Sequence, residues 1–198
     1  MSGAHLDGFP ARPCNVLLAG IGGQGVLTVA QLLAEAALHA GHDVKKSEVH
    51  GMAQRGGVVT SHVRFGREIF SPIISPGSAD VVLAFEEAEA LRWQAEVRSG
   101  GRLVVNRLRV APPVVNLGLF GYPEEPLALL QTRGSVQPVE ASALAVQLGS
   151  PRLAGVILLG AAAPWLPLAS EDWEAAIRRR FRSGAVAEQN LAAFRAGG

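Results

Sequence analysis

Cys14-Asn15-Val16-Leu17-Leu18-Ala19-Gly20-Ile21-Gly22-Gly23-Gln24-Gly25-Val26 is the stretch on which the fold class turns. Cys14 to Ala19 is a short run rich in Val and Leu, ended by Gly20, and it reads as a strand. From Gln24 to Ala40 the spacing becomes helical: Val26, Val29, Leu33 and Ala36 fall on one face, and Leu32 and Leu38 widen it. Gly41 then stands where a helix C-terminus wants a left-handed residue. A strand, a glycine turn and an amphipathic helix in that order open an α/β unit.

Outward from this unit, His42–Val49 and Val58–Phe65 read as two further strands separated by the glycine-bearing loop Gly51–Gly57. In the second, Val59, Ser61 and Val63 alternate with Thr60, His62 and Arg64, the period of a strand with unlike faces. Asp80–Phe85 is a buried strand by its continuous apolar content, Glu86–Val97 an Ala/Glu-rich helix, and Arg102–Asn106 another strand. After a proline-rich excursion from Val110 to Pro126 the pattern resumes with Leu127–Gln131, Val136–Val139 and Ala141–Leu148. The C-terminal third is helical. Leu153–Leu168 is a buried helix, and in Glu171–Phe181 the residues Trp173, Ile177 and Phe181 form one stripe behind a Ser170 N-cap. Strands alternating with helices imply βαβ units and a three-layer, Rossmann-like α/β domain with a mainly parallel sheet. It spans 14–198 as a single domain behind an N-terminal lead, 1–13.

Composition narrows the functional classes. The chain has 198 residues, 48% hydrophobic and 18% charged, enough for one core. Its 18 Lys+Arg against 17 Asp+Glu leave no broad field for nucleic acid. Leu153–Leu168 is broken by Pro164 and Pro167 and is shorter than the roughly 20 residues of a spanning helix, so no membrane role is expected. The lead has no basic n-region followed by an apolar stretch, so a cytoplasmic protein is expected. Cys14 is the one cysteine, short of the thiolates that an iron–sulfur cluster or a structural zinc site takes. It reads as a small buried hydrophobe. The basic run Arg178, Arg179, Arg180 and Arg182 reads as a solvated helix end favoured by the macrodipole, with a partner-facing patch as the alternative.

Two segments can carry chemistry. The turn Gly20-Ile21-Gly22-Gly23-Gln24-Gly25 fits G-x-G-x-x-G between a strand and a helix, where free backbone N–H groups can surround a phosphate or carboxylate. Otherwise the glycines merely permit a sharp turn. Glu48 stands some twenty residues on, where a dinucleotide fold holds a ribose hydroxyl, so a stand-alone NAD(P)-binding Rossmann oxidoreductase is a competitor. The second segment is Ser47-Glu48-Val49-His50-Gly51-Met52-Ala53-Gln54-Arg55-Gly56-Gly57, a polar loop with no job in a nicotinamide fold. Arg55 offers a planar fork of donors for an anion, and Gly56 and Gly57 allow close approach. General acid–base work by His50 beside Glu48 is discounted, because no Ser or Cys nucleophile sits in a convincing elbow. A structural or interface role is expected for His50 and His62, and no catalytic residue is assigned.

Gly20–Val26, Ser47–Gly57 and then Ser61-His62-Val63-Arg64 closely resemble the small (beta) subunits of indolepyruvate ferredoxin oxidoreductases. More broadly they are similar to the gamma domain of pyruvate and 2-oxoisovalerate ferredoxin oxidoreductases, whose gamma subunit is an alternative assignment. With the tail Asn190-Leu191-Ala192-Ala193-Phe194, the likeness runs from about Cys14 to Gly197. It departs at Pro151-Arg152 and Ala154-Gly155, where relatives tend to carry an Asn before the apolar helix.

The resemblance implies a division of labour. A large alpha subunit holds thiamine diphosphate, Mg and [4Fe–4S] clusters, and the small subunit completes the assembly, meeting ferredoxin only indirectly. The reaction implied is oxidative decarboxylation of an aryl-pyruvate with coenzyme A and oxidised ferredoxin, giving an aryl-acetyl-CoA, carbon dioxide and reduced ferredoxin. This sequence has no G-D-G with a downstream Asn for a diphosphate–magnesium site. Gly20, Gly22, Gly23, Gln24, Gly25, Glu48, His50, Gly51, Met52, Gln54, Arg55, Gly56 and Gly57 are the candidates for holding an anionic part of coenzyme A or for docking the large subunit. A third possibility is a pure assembly module, with every loop in a subunit interface.

Overall fold

In the computed structural model the described residues are 12–50, 57–111 and 121–198. Six strands form one sheet in the order β2-β3-β1-β4-β5-β6: β1 Cys14–Ile21, β2 Asp43–His50, β3 Val58–Gly66, β4 Ala79–Ala84, β5 Val97–Asn106 and β6 Ser135–Val139. β1, β4, β5 and β6 are parallel neighbours, while β3 runs antiparallel to both β1 and β2. The mainly parallel sheet read from the sequence is present, but β2 and β3 are a hairpin and not a βαβ pair. The connection 51–57 is too short for a parallel crossover, which takes a dozen or more residues.

The helices are α1 Val26–His39, α2 Glu87–Trp93, α3 Ala141–Gln147, α4 Ala154–Ala162, α5 Ser170–Arg180 and α6 Gly184–Gly197. Alternation along β1 divides the core into two layers, because successive strand side chains leave opposite faces. Val16 and Leu18 pack with α1, α3, α4, α5 and α6, whereas Leu17 packs with Val82, Leu103 and Val105 beneath Ala90 and Trp93 of α2. All eight residues of β1 are buried, as a strand covered on both faces requires. Among the described residues no helix is long and apolar enough to cross a membrane.

α4 is apolar all round and sits inside the thicker layer, where all but its first residue are buried. It packs on α6 through glycine: a Cβ on Gly160 would collide with the Phe194 carbonyl, whose carbon would lie at 2.9 Å, and a Cβ on Gly197 would collide with the Ile157 carbonyl. The two backbones are therefore in direct contact.

Several boundaries differ from the sequence reading. The apolar run after Leu153 stays helical only to Ala162 and tightens to a 3-10 turn at Ala163–Trp165, where Pro164 removes a donor. The helix read as Glu86–Val97 ends at Trp93, continues as a 3-10 turn Gln94–Glu96, and gives way to β5 at Val97. Of Leu127–Gln131, only Leu127 to Leu129 are in a regular element, the 3-10 turn Pro126–Leu129. Ser170 is the first residue of α5 rather than its cap; Ala169 occupies that place, and its backbone N–H is bound by the Asp172 carboxylate at 3.0 Å. Trp173 and Ile177 are buried, while Phe181 lies just past the helix end. Within the basic run, Arg178 ties the two last helices together, with Glu174 at 2.8 Å and Glu188 at 2.5 Å.

Candidate functional site

The glycine turn lies between β1 and α1 at the C-terminal edge of the parallel strands. Gly23 (φ 99°) and Gly25 (φ 85°) adopt left-handed backbone, which an L side chain resists, and Gly25 serves as the helix N-cap with no side chain to block the amides. Gly20 is constrained by space instead: an added Cβ would stand 2.8 Å from both the Phe85 Cβ and Val26 Cγ2. Gln24 folds back on the turn, its Oε1 accepting from the Ile21 N–H at 2.7 Å and its own N–H donating to the Ile21 carbonyl at 3.1 Å.

A cavity of about 320 Å³ opens over this turn, with Gly22, Gly23 and Gly25 on one side and Val26, Leu27 and Thr28 of the first helical turn on another. The first N–H groups of a helix lack intrahelical acceptors and carry the positive end of its dipole. α1 has no acidic residue in its first turn to satisfy them. An anionic group is thus chemically suited to the amides, although Ile21, Val26, Leu27 and Val59 make the walls largely apolar.

The second segment reaches the same edge. Ile21 pairs with Val58, and His50 pairs with Val59, so β2 ends and β3 begins beside the glycine turn. The Gly22 N–H donates to the Gly57 carbonyl at 2.9 Å, fastening one loop to the other. Gly51, Met52, Gln54, Arg55 and Gly56 lie outside the described residues.

Glu48 does not stand where a dinucleotide fold needs it. β3 intervenes between β1 and β2, which puts Glu48 two strands, or roughly 10 Å, from β1. Its carboxylate pairs with Lys46 at 2.7 Å. The spacing rule assumes a parallel neighbour, and the hairpin removes that neighbour. His62 occupies the sheet position expected of it, its Nδ1 accepting from the Ile74 N–H at 3.2 Å, and burial lowers its pKa.

The sequence reading missed a polar cluster on the other side of the turn. α1 leaves β1 for one face of the sheet and α2 leaves β4 for the other, so the gap between β1 and β4 is a topological switch point, the usual ligand crevice of open α/β sheets. Glu86, only 1% exposed, follows β4 there. Its carboxylate accepts from the Glu89 N–H at 3.0 Å, the Val110 N–H at 3.2 Å and the Tyr122 hydroxyl. Burial and this carboxylate push the Tyr122 pKa up, so the phenol stays protonated as the donor. Glu87 pairs with Arg109 at 2.8 Å, and Arg109 also holds Glu125 at 2.8 Å. Glu89 accepts from Arg92 and from Trp93 Nε1, with its pKa raised by burial. Asn106 joins the ends of β4 and β5 to α3 by donating to the Phe85 carbonyl at 3.2 Å and accepting from the Ser142 N–H at 3.1 Å. Glu86 and Glu87 are thus committed to holding segments 107–111 and 121–125 against α2, while Glu89 is satisfied within the helix. No local signal marked it, since the partners of Glu86 and Glu87 come from residues distant in sequence.

Cys14 is buried, and desolvation pushes its thiol up to about 12, so it is no thiolate at neutral pH. As the chain's one cysteine it cannot assemble a cluster-binding set. Among the described residues no group of three or more His, Cys, Asp or Glu is arranged to hold a metal ion.

The family model described as pyruvate ferredoxin/flavodoxin oxidoreductase matches residues 15–198. The indolepyruvate oxidoreductase subunit IorB of Pyrococcus horikoshii is 39% identical over 186 residues, covering 91% of this chain and 92% of that one. Among solved structures, pyruvate oxidoreductase subunit PORC of Thermotoga maritima superposes with a TM-score of 0.72 at 25% identity, over 94% of this chain and 95% of that one. The 2-oxoglutarate:ferredoxin oxidoreductase of Magnetococcus marinus shares the fold with a TM-score of 0.73 at 20% identity, over 95% of this chain but 31% of the longer one.

Proposed function

The chain belongs to the pyruvate ferredoxin/flavodoxin oxidoreductase family, and from that premise we propose that it is the small subunit of an indolepyruvate-type 2-oxoacid:ferredoxin oxidoreductase. The observation that carries this reading is identity over nearly the whole length of a protein named as an indolepyruvate oxidoreductase subunit. The reaction is oxidative decarboxylation of an aryl-pyruvate with coenzyme A and oxidised ferredoxin, in the cytoplasm. The iron–sulfur clusters reside on a larger subunit, because one buried thiol offers no ligand set for a cluster in this chain, and thiamine diphosphate is assigned to the same partner. The single domain 14–198 acts by completing that assembly.

Within it, Gly20, Gly22, Gly23, Gln24 and Gly25 with the loop from Glu48 and His50 through Gly57 form the working surface. The first-turn amides of α1 and the Arg55 guanidinium hold an anionic part of coenzyme A, excluding water from the partner's reacting centre. The apolar walls of the cavity favour a second role for the same surface, contact with the large subunit.

Co-purification with the large subunit and anaerobic assay of several 2-oxoacids against ferredoxin or a viologen tests the assignment. Turnover should require both chains, and a large subunit fully active by itself defeats the proposal. Arg55→Ala should weaken apparent coenzyme A affinity or assembly by about 1.5–3 kcal/mol, roughly tenfold to a hundredfold, for a lost charge-assisted bond. Unchanged values for both remove Arg55 from the surface.

A further inference from the structure

Another cavity, of about 510 Å³, opens at the N-terminal edge of the parallel strands, the edge opposite the glycine turn. Its walls carry three guanidiniums, from Arg12, Arg98 and Arg102, against one carboxylate, Asp80. Asp80 is already engaged: it accepts from the Asn15 N–H at 2.9 Å, from Arg98 Nε at 2.6 Å and from both terminal nitrogens of Arg12. It has nothing left to offer Arg102. Among the described residues Arg102 has no ion-pair partner, and its Nε is buried without an acceptor.

Arg102 is nonetheless held in place. Its guanidinium centre lies 3.5 Å from the centroid of the Trp165 ring, and the ring is fixed in turn by donation from Nε1 to Gln137 Oε1 at 3.0 Å. Stacking occupies the flat face of the guanidinium and leaves its in-plane N–H fork for an acceptor. Gly100, with φ 72°, and Gly101 also line the cavity, where backbone rather than side chain borders an occupant. A preset cation with its donors unspent, in a cavity within the roughly 300–1,000 Å³ range of small-molecule sites, specifies an anion as what is missing.

We propose that this cavity binds a small molecule through a phosphate or carboxylate group, with Arg102 as the principal contact. The site is separate from the glycine-loop surface and does not depend on the function assigned to it.

Thermal melting of the full chain tests this, with inorganic phosphate and acetate titrated separately at ionic strength held constant by potassium chloride. Saturable stabilisation of the wild-type chain is expected, since a ligand that binds only the folded state raises Tm by mass action. A response to phosphate alone or to acetate alone identifies the group recognised. Arg102→Met, which keeps the apolar stem and removes the unpaired donor, should melt no lower than wild type without anion and should need at least tenfold more anion for the same shift. Should that variant fail to fold, Trp165→Ala provides the second arm, because Trp165 is 47% exposed and its loss removes the stack without opening the core. Equal responses in wild type and variants, or none beyond that of chloride, overturn the proposal. So does a requirement for Arg102 that appears only on assembly with a large subunit while both free anions are inert, because the acceptor is then a protein carboxylate.

Discussion

Gly160→Ala sets two effects of opposite sign against each other. Helix propensity alone favours alanine inside α4 by about 1 kcal/mol. The structure predicts the reverse. The new Cβ would fall inside contact distance of the Phe194 carbonyl, with the carbonyl carbon at 2.9 Å, and both groups are backbone, so no rotamer change relieves the clash. α4 and α6 would have to separate, loosening a layer in which Ile157, Ala161, Leu191 and Ala193 are buried. Overpacking of this kind costs about 1–3 kcal/mol, and a backbone-to-backbone clash belongs at the upper end. After the propensity gain, the net loss is about 2 kcal/mol, or a fall in Tm of roughly 4–8 °C for a chain of this size. Differential scanning calorimetry, with urea unfolding as a second measure, reads the difference directly. A variant that melts at or above wild type would refute the direct contact between α4 and α6.

Gly23→Ala places a side chain at φ 99° with no atom within 4 Å of the new Cβ, so the loss is purely conformational, about 1–2 kcal/mol, read as a lower Tm. Burial lowers the pKa values of His42 and His62, so the unfolded chain takes up protons first as pH falls. Their contribution to stability is whole above about pH 6.5 and is lost below it, through the folded values. A plot of Tm between about pH 7.5 and 5.5 should therefore slope downward with acidification, less so in His62→Gln, and an unchanged slope in that variant would count against the assignment. Glu86→Gln exchanges an acceptor for a donor among the Glu89 and Val110 N–H groups and the Tyr122 hydroxyl. It should cost about 1–3 kcal/mol and speed tryptic cleavage after Arg107 or Arg109, measured by timed digestion.

What the sequence made legible was local. The strand, glycine turn and helix from Cys14 to Gly41 follow from periodicity and from where glycine is needed, and the left-handed Gly41 lies just past the Ala40 cap of α1. The direction of β3 was also accessible in principle, because the loop 51–57 has no room for a crossover, but alternating periodicity says nothing about direction. The burial of Glu86, Glu87 and Glu89 was not accessible. An Ala/Glu-rich helix reads as solvated until a distant stretch folds over it, and Arg109 and Tyr122 supply partners to Glu87 and Glu86 from more than twenty residues away. The stack of Arg102 on Trp165 is likewise invisible locally, since 63 residues separate two side chains that only the tertiary fold brings together.

The two outer strands of the sheet carry a further consequence. β6 holds Pro138, which has no amide hydrogen to give to an added strand, and β2 carries Lys45 and Lys46 along the opposite margin. Both margins thus discourage lateral growth. Addition of a seventh strand is disfavoured at either side of the sheet.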